Sequence, residues 1–590
     1  MTENPLVYLF RKLWHYSEGN RRNIILYWTM FAISECINTF LTPFVTAQII
    51  ASVTTEGITE ANMGKFYLLL SLFLVRNLTS WVTHGPARIF EQLNAFRART
   101  NYRSYLMRGV MNLPLSWHHN HHTGDTTDRV NKGADGLYGF AEDSFLSIKS
   151  LFKVIGCFVM IVYFSHKAAY IVAVVTFVSA WITIRFDKVL MPQYKALNRS
   201  ENEINERIID SAENISTIII LRAEKLVFET IMNAVRKPYE LFRRSSILNE
   251  WKWFLTSFLC DLLIVVVMIV YLRDHIGTGP GILSGSVYLL LSYLEKMGEL
   301  YFQFTSNYSS IVRQKYRVMN AEELANDFRG ESLENHVLPE NWQKLSIRKL
   351  TFSYTGEEGK QLHLNGVDLD ILRGKRIAFV GARGSGKTTC LLVIGGLFEA
   401  QAEIYSDGVF VPEGFAGIKR AFSLVPQTPQ IFGTRDATIE YNMTIGVPYA
   451  KQLVEHTIDT VAFRDVLQKM PRGLASTVQE QGVNLSGGER QGLALIRGLL
   501  ACRDKDVILL DEPTSSFDPV VEQEVYRNIF REFRDKTIIS SVHKLHLLPY
   551  FDQIYVFADG KVIASGTLAQ LLVTSPEFQK MWQAGMSEPD

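Results

Sequence analysis

Two regimes of hydrophobic patterning divide the chain. Apolar runs of membrane-spanning length recur in the first half, at about 24–50, 66–84, 145–165, 168–186, 253–273 and 281–303. A helix rises about 1.5 Å per residue, so roughly 20 mostly apolar residues cross a hydrocarbon core of about 30 Å. Six transmembrane helices are therefore predicted. Beyond residue 343 the pattern changes to short strand-like runs such as Leu345–Tyr354, Ile377–Val380 and Val507–Leu510, set among polar and charged segments. That half reads as a soluble α/β domain. Ahead of the first apolar run, Pro5–Tyr16 reads as a short amphipathic segment at a membrane interface. The expected division is an interfacial segment over 1–20, a transmembrane domain with two long cytoplasmic loops over 21–307, a charged linker over 308–342 and a nucleotide-binding domain over 343–590.

Charge sharpens this picture. The 590 residues carry a formal net charge of +1, which gives no reason to expect a nucleic-acid partner. Arg11, Lys12, Arg21 and Arg22 precede the first apolar run, and basic stretches separate the second from the third and the fourth from the fifth. The opposite loops hold little more than Lys65, Lys167 and Arg273. The positive-inside rule then puts both termini in the cytoplasm. Six buried helices of a large soluble protein would show no such bias. The five cysteines, Cys36, Cys157, Cys260, Cys390 and Cys502, have no paired spacing and read as small apolar residues. Arg11, Lys12 and Trp14 interrupt any apolar core in the first 20 residues, so no cleavable signal peptide is expected.

Some charges fall inside the spans. Counted along helices, Glu35 and Arg76 each lie roughly 15–16 Å from their nearer span end, close to the midplane. An unpaired charge there is costly, so the two are expected to pair. Asp261 and Glu295 fall at similar depths, where they either line a pathway for cationic or polar cargo or serve helix ends. His118, His119, His121 and His122 crowd one loop, but adjacent histidines point in different directions and no carboxylate or cysteine set accompanies them. No metal site is expected there.

The chemistry is concentrated in the second half. Gly381-Ala-Arg383-Gly384-Ser385-Gly386-Lys387-Thr388 follows a strand and precedes the helix-like Thr389–Ile394. Strand, glycine loop and helix in that order make a phosphate-binding P-loop. Backbone N–H groups and the helix N-terminus receive phosphate oxygens, Lys387 reaches the β- and γ-phosphates, and the Thr388 hydroxyl ligates Mg²⁺. Val507–Asp511 is a buried strand ending in Asp511 and Glu512, two carboxylates suited to organising Mg²⁺ and polarising an attacking water. Ser486, Gly487 and Gly488 open another helix, where hydroxyl, N–H groups and dipole converge on an anion.

Taken in order, these motifs resemble the ATP-binding cassette (ABC) domain over essentially all of 343–590, and the whole chain resembles an ABC exporter half-transporter. The fold implied is a multidomain membrane protein: an all-α six-helix transmembrane domain followed by an α/β P-loop NTPase domain with a helical signature subdomain. The resemblance also assigns roles. Tyr354 matches the aromatic residue that stacks on adenine. Gln427 in Leu424-Val-Pro-Gln matches the glutamine that reaches Mg²⁺ and the attacking water. Leu485-Ser-Gly-Gly488 matches the signature that binds the γ-phosphate of the opposite subunit's ATP, with Glu489 where glutamine is commoner. Ser516-Phe-Asp518 matches the loop joining the two sites, and His543 the residue contacting the γ-phosphate. The catalytic set is then Glu512, His543, Gln427 and Lys387. The nucleotide set is Tyr354, Gly381, Arg383, Gly384, Ser385, Gly386, Lys387, Thr388, Thr389, Ser486, Gly487 and Gly488, and the Mg²⁺ set is Thr388, Gln427 and Asp511.

Pro114-Leu-Ser-Trp117 with Thr123-Gly-Asp125 and Arg129 is similar to the family's first cytoplasmic loop, and Glu213–Glu224 to its second. In the family each carries a coupling helix. One chain supplies one P-loop and one signature, which implies a head-to-tail dimer sandwiching two ATPs. The motifs are intact, so a homodimer is self-sufficient, although a heterodimer is possible. The expectation is ATP-driven export from a bacterial inner membrane. An importer on the same fold, or an ATP-gated channel or sensor, are the alternatives. Nothing in the six spans selects a substrate. No peptidase-like stretch precedes the first helix, so leader-peptide cleavage is not expected.

Overall fold

The computed structural model describes residues 4–121, 123–276, 280–328, 338–339, 341–356, 359–433, 437–479 and 482–587. The chain forms two compact units, one of Met1–Leu113 with His121–Gly330 and one of Pro114–Asn120 with Glu331–Asp590. His122 of the histidine cluster, Gln481 beside the signature, and residues 329–337 and 340 of the linker lie outside the described residues.

The first unit is helical: α1 (Pro5–Tyr16), α2 (Arg21–Glu56), α3 (Met63–Met111), α5 (Thr123–Glu142), α6 (Ser144–Phe164), α7 (His166–Glu213), α8 (Ile215–Ile220), α9 (Glu224–Arg236), α10 (Tyr239–Asp274) and α11 (Pro280–Ala325), with α4 (Leu115–Asn120) falling to the second unit. Each of the six apolar stretches lies within a long helix. Five segments of the described residues, those carrying α2, α3, α6, α7 and α10, are long and apolar enough to cross a membrane. The stretch in α11 is diluted by Ser284, Ser286, Glu295, Lys296 and Glu299. Large side chains such as Leu74, Val82 and Phe177 are more than two-thirds exposed, as a lipid-facing surface requires. Helix α1 buries Leu9 and Leu13, and its Tyr8 hydroxyl donates to Glu322 of α11 at 2.5 Å.

Glu35 and Arg76 do not pair. Arg76 donates to Thr42 Oγ1 at 2.7 Å, while Glu35 accepts from Thr39 Oγ1 at 3.2 Å. The antiparallel register of α2 and α3 explains the difference: Asn38 donates to Ser80 Oγ at 2.8 Å and Ser34 meets the same hydroxyl at 2.9 Å. In that register Arg76 stands opposite Thr42, and Glu35 stands more than a turn away, within electrostatic reach of Lys149 and Lys296. Depth from each span end omitted the stagger between the helices. A buried ion pair lies elsewhere in this unit, where Lys252 of α10 donates to Asp187 of α7 at 3.1 Å and to Ser309 of α11 at 3.1 Å. Asp261 and Glu295 are exposed.

The second unit holds two sheets. An antiparallel sheet runs β2-β1-β4-β5, with β1 (Lys344–Gly356), β2 (Gly359–Leu372), β4 (Gln401–Ser406) and β5 (Val409–Phe410). The larger sheet runs β10-β9-β3-β8-β7-β6, built from β3 (Arg376–Gly381), β6 (Phe422–Val425), β7 (Val507–Asp511), β8 (Thr537–Ser541), β9 (Gln553–Ala558) and β10 (Lys561–Gly566). Strands β9, β3, β8, β7 and β6 are mutually parallel. Strand β7 is buried at every position, as a central parallel strand covered on both faces must be. Helices α12 (Lys387–Ile394), α13 (Phe415–Ile418), α14 (Ile439–Thr444), α15 (Lys451–Thr460), α16 (Arg464–Lys469), α17 (Gly487–Ala501), α18 (Pro519–Glu532), α19 (Leu568–Thr574) and α20 (Pro576–Ser587) complete the unit. Leu115 of α4 packs against the same core as Trp342, Leu345 and Phe379.

Candidate nucleotide site

Sheet order decides which loops can meet. Strands β3, β8, β7 and β6 are consecutive neighbours and parallel, so the loops leaving their carboxyl ends emerge side by side. Ligands of open α/β sheets bind at that edge. The loop after β3 is the P-loop, β8 leads to His543, β7 ends in Asp511 and Glu512, and β6 leads to Gln427. Four segments spread over some 160 residues of sequence are thus brought to one place.

The P-loop turns into α12 at Gly386, whose φ of +104° is a conformation that L side chains rarely adopt. At Gly381 a Cβ would stand 2.2 Å from the Phe557 carbonyl oxygen, so strand β9 also requires glycine there. Lys387 is 5% exposed, and its Nζ donates to the carbonyls of Gly381 at 2.7 Å and Ala382 at 3.0 Å. Burial lowers its pKa, against the charges of Glu512 and Asp511. The Ser385 hydroxyl is buried without a hydrogen-bond partner inside this loop. An orphaned donor, a buried ammonium and a helix N-terminus together suit a polyphosphate anion.

A cavity of about 530 Å³ opens over the loop, lined by Arg383 to Thr389, Gln427, Glu512 and His543, among others. The Glu512 carboxylate is bracketed by two other lining residues. Its Oε2 accepts from Gln427 Nε2 at 2.8 Å, and its Oε1 lies 3.4 Å from His543 Nε2. Asp511 lies deeper, accepting from Ser541 Oγ at 2.6 Å and Thr388 Oγ1 at 3.0 Å. Burial raises the pKa of Asp511, opposed by those two hydrogen bonds and Lys387. Hydroxyl, carboxylate and amide oxygens are the hard donors a Mg²⁺ ion prefers, so Thr388, Asp511 and Gln427 fit one.

Glu512 is held in an unusual backbone conformation. Its φ is +45°, in the left-handed region, where a residue with a side chain costs of order 1–3 kcal/mol. Its N–H donates to Ser541 Oγ at 3.0 Å.

Two sets of predicted residues stand apart from this cavity. Ser486 caps α17, accepting from the Glu489 N–H while the Glu489 side chain accepts from the Ser486 N–H at 2.7 Å. Glu489 at the unusual position thus completes a capping box. Gly487 and Gly488 lie against Ser516, and a Cβ at Gly488 would come within 3.2 Å of its carbonyl oxygen. Ser486, Gly487 and Gly488 are not among the residues lining the cavity. Tyr354 makes edge contacts with Phe352, His363 and Phe398, and of these residues His363 lines the cavity.

Ser541, His363 and Gln491 were not singled out from the sequence. Ser541 ends a strand that pairs in parallel with β7, opposite Asp511, a placement that only the sheet register reveals. Among the described residues no cluster of three or more histidine, cysteine or acidic side chains converges on a metal position.

Comparison with known proteins agrees with this geometry. The family profile for the ABC transporter transmembrane region matches residues 25–293, and that for the ABC transporter cassette matches residues 364–515. The ATP-dependent lipid A-core flippase of Salmonella paratyphi A is 22% identical over 580 residues, 95% of each chain. The protein of the same name from Vibrio vulnificus is 22% identical over 595 residues, 98% of each. The structure of a bacterial Atm1-family ABC exporter with ATP bound superposes with a TM-score of 0.86 at 20% identity, covering 97% of this chain and 99% of the other. The chain is therefore a member of the ABC transporter family, an integral-membrane half-transporter of exporter fold with one membrane region and one cassette that binds and hydrolyses ATP.

Proposed function

We propose that the protein is an ATP-driven exporter that works as a homodimer in a bacterial inner membrane, with both termini cytoplasmic. The observation that carries the reading is the disposition of the two anion-binding elements within one chain. The P-loop cavity is open and is lined by Glu512, Gln427 and His543, while Ser486–Gly488 does not line it and instead has its glycines against Ser516. Phosphoryl transfer depends on positioning and charge stabilisation, so an open γ-phosphate is poorly served by one chain. A second copy related by a two-fold axis brings its signature over each P-loop and completes two sites.

In each site the P-loop N–H groups, Ser385 and Lys387 hold the β- and γ-phosphates, and Tyr354 stacks near the adenine. Thr388, Asp511 and Gln427 would hold Mg²⁺, which would neutralise phosphate charge. Glu512 accepts a proton from the attacking water and His543 orients it against the γ-phosphate. The two groups lie 3.4 Å apart, His543 Nε2 to Glu512 Oε1, so both face the same position.

Closure of the cassettes favours one of two membrane states because ATP binds the closed form more tightly. Helix α4, which clusters with the cassette unit, is the proposed transmitter, and α8, with Ile220 78% exposed, a second. The membrane domain is taken as 21–307, the linker as 308–342 and the cassette domain as 343–590.

The test is transport itself. Purified protein in proteoliposomes should move an amphiphile across the bilayer when ATP is supplied on the cassette side, and the lipid A-core named for its relatives is the first to try. ATP turnover without movement of any candidate would favour a gated channel or sensor, and inward movement an importer.

A further inference from the structure

The carboxylate assigned to the attacking water is fixed by its backbone as well as by its side chain. A non-glycine residue stays in the left-handed region only where its surroundings over-determine it. At Glu512 two side chains do so: Ser541 receives its N–H, and its carbonyl accepts from Gln491 Nε2 at 2.9 Å. Ser541 is shared with Asp511, but the three hydrogen bonds of the Gln491 amide all go to one short loop. Its Nε2 also donates to Ser515 Oγ at 2.9 Å, and its Oε1 accepts from the Ser516 N–H at 2.7 Å. Gln491 itself is 3% exposed, and all three bonds are partly buried.

Gln491 also stands in α17, five residues beyond Ser486 at its cap. One rigid helix therefore joins the Ser486–Gly488 turn to the carbonyl of Glu512. We propose that Gln491 is a positioning residue for ATP hydrolysis: it locks Glu512 in the left-handed turn that aims its carboxylate into the cavity, and it carries any displacement of the signature helix to that carboxylate. The inference rests on the reading of Glu512 as the group that activates water.

The experiment compares wild type, Gln491→Met and Glu512→Gln as full-length protein in lipid nanodiscs, measuring kcat and KM for ATP and the Tm of each. Methionine keeps the shape of the side chain and removes all three hydrogen bonds. The expected result is a fall in kcat of about tenfold or more with KM within about twofold, the pattern of an interaction made only in the transition state. Wild-type kcat in Gln491→Met, or loss of turnover and ATP binding together with a lowered Tm, overturns the proposal. Should Gln491→Met not fold, Ser515→Ala at an exposed position removes one anchor, and there a fall of about threefold in kcat at unchanged KM is expected. An unchanged kcat in that variant overturns the proposal equally. Turnover surviving in Glu512→Gln sinks the reading of Glu512 itself. An inactive Glu512→Gln beside a fully active Gln491→Met sinks only the role of Gln491.

Discussion

Gln427 Nε2 donates to Glu512 Oε2 at 2.8 Å, joining the loop after β6 to the carboxylate at the end of β7. Both groups face the space above the P-loop, and their contact occupies donor and acceptor positions that a water molecule would use during attack. Replacing Gln427 by alanine should leave ATP binding within about threefold and lower turnover by about 10-fold or more, because it removes orientation and not phosphate contact. Steady-state kinetics in nanodiscs check this, and a raised KM at unchanged kcat would contradict it.

Lys387 should govern binding instead. Its buried ammonium is held by two P-loop carbonyls, poised for phosphate. Lys387→Met is expected to weaken ATP affinity by about 30-fold or more, the usual consequence of removing one partner of a desolvated charge pair. Titration with a fluorescent ATP analogue measures it directly.

Asp511 offers a stability test. Burial raises its pKa in the folded protein, so at neutral pH its charge opposes folding of the ligand-free cassette. Asp511→Asn should therefore raise the Tm without nucleotide while abolishing turnover. The sign fixes the pH dependence: the advantage is full at neutral pH and vanishes as pH falls below the ordinary carboxylate range, where Asp511 is protonated in both states.

Lys252 and Asp187 form a pair of which neither side chain is more than 4% exposed. Removing one partner strands the other, so Lys252→Met or Asp187→Leu alone should destabilise by about 3–5 kcal/mol. The double replacement should recover most of that loss. Thermal unfolding in detergent followed across the cycle gives the coupling.

Glu35 and Arg76 should behave in the opposite way. They have separate partners in Thr39 and Thr42, so alanine at each is expected to be additive within about 0.5 kcal/mol. A coupling energy well above that in the same assay would restore the pairing expected from depth alone.

These residues also show what was legible in the sequence and what was not. The long apolar helices and the P-loop were readable because each is local: a run of side chains or a glycine spacing carries its own physics. Ser541 and Gln491 were not, because their importance lies in a strand register and in a single hydrogen bond to a backbone carbonyl. The Glu35–Arg76 expectation failed for a related reason, since depth within one helix says nothing about the stagger between two. The left-handed φ of Glu512 has no sequence signal, as glutamate is an unfavourable residue for it and only surrounding contacts keep it there.

The most direct measurement is ATP turnover by the purified chain alone in lipid nanodiscs, wild type against Glu512→Gln. A self-sufficient homodimer with Glu512 acting on water requires turnover in the wild type and a fall of at least about 100-fold in the variant with ATP still bound. Turnover persisting in Glu512→Gln, or none from well-folded wild type, would contradict the account.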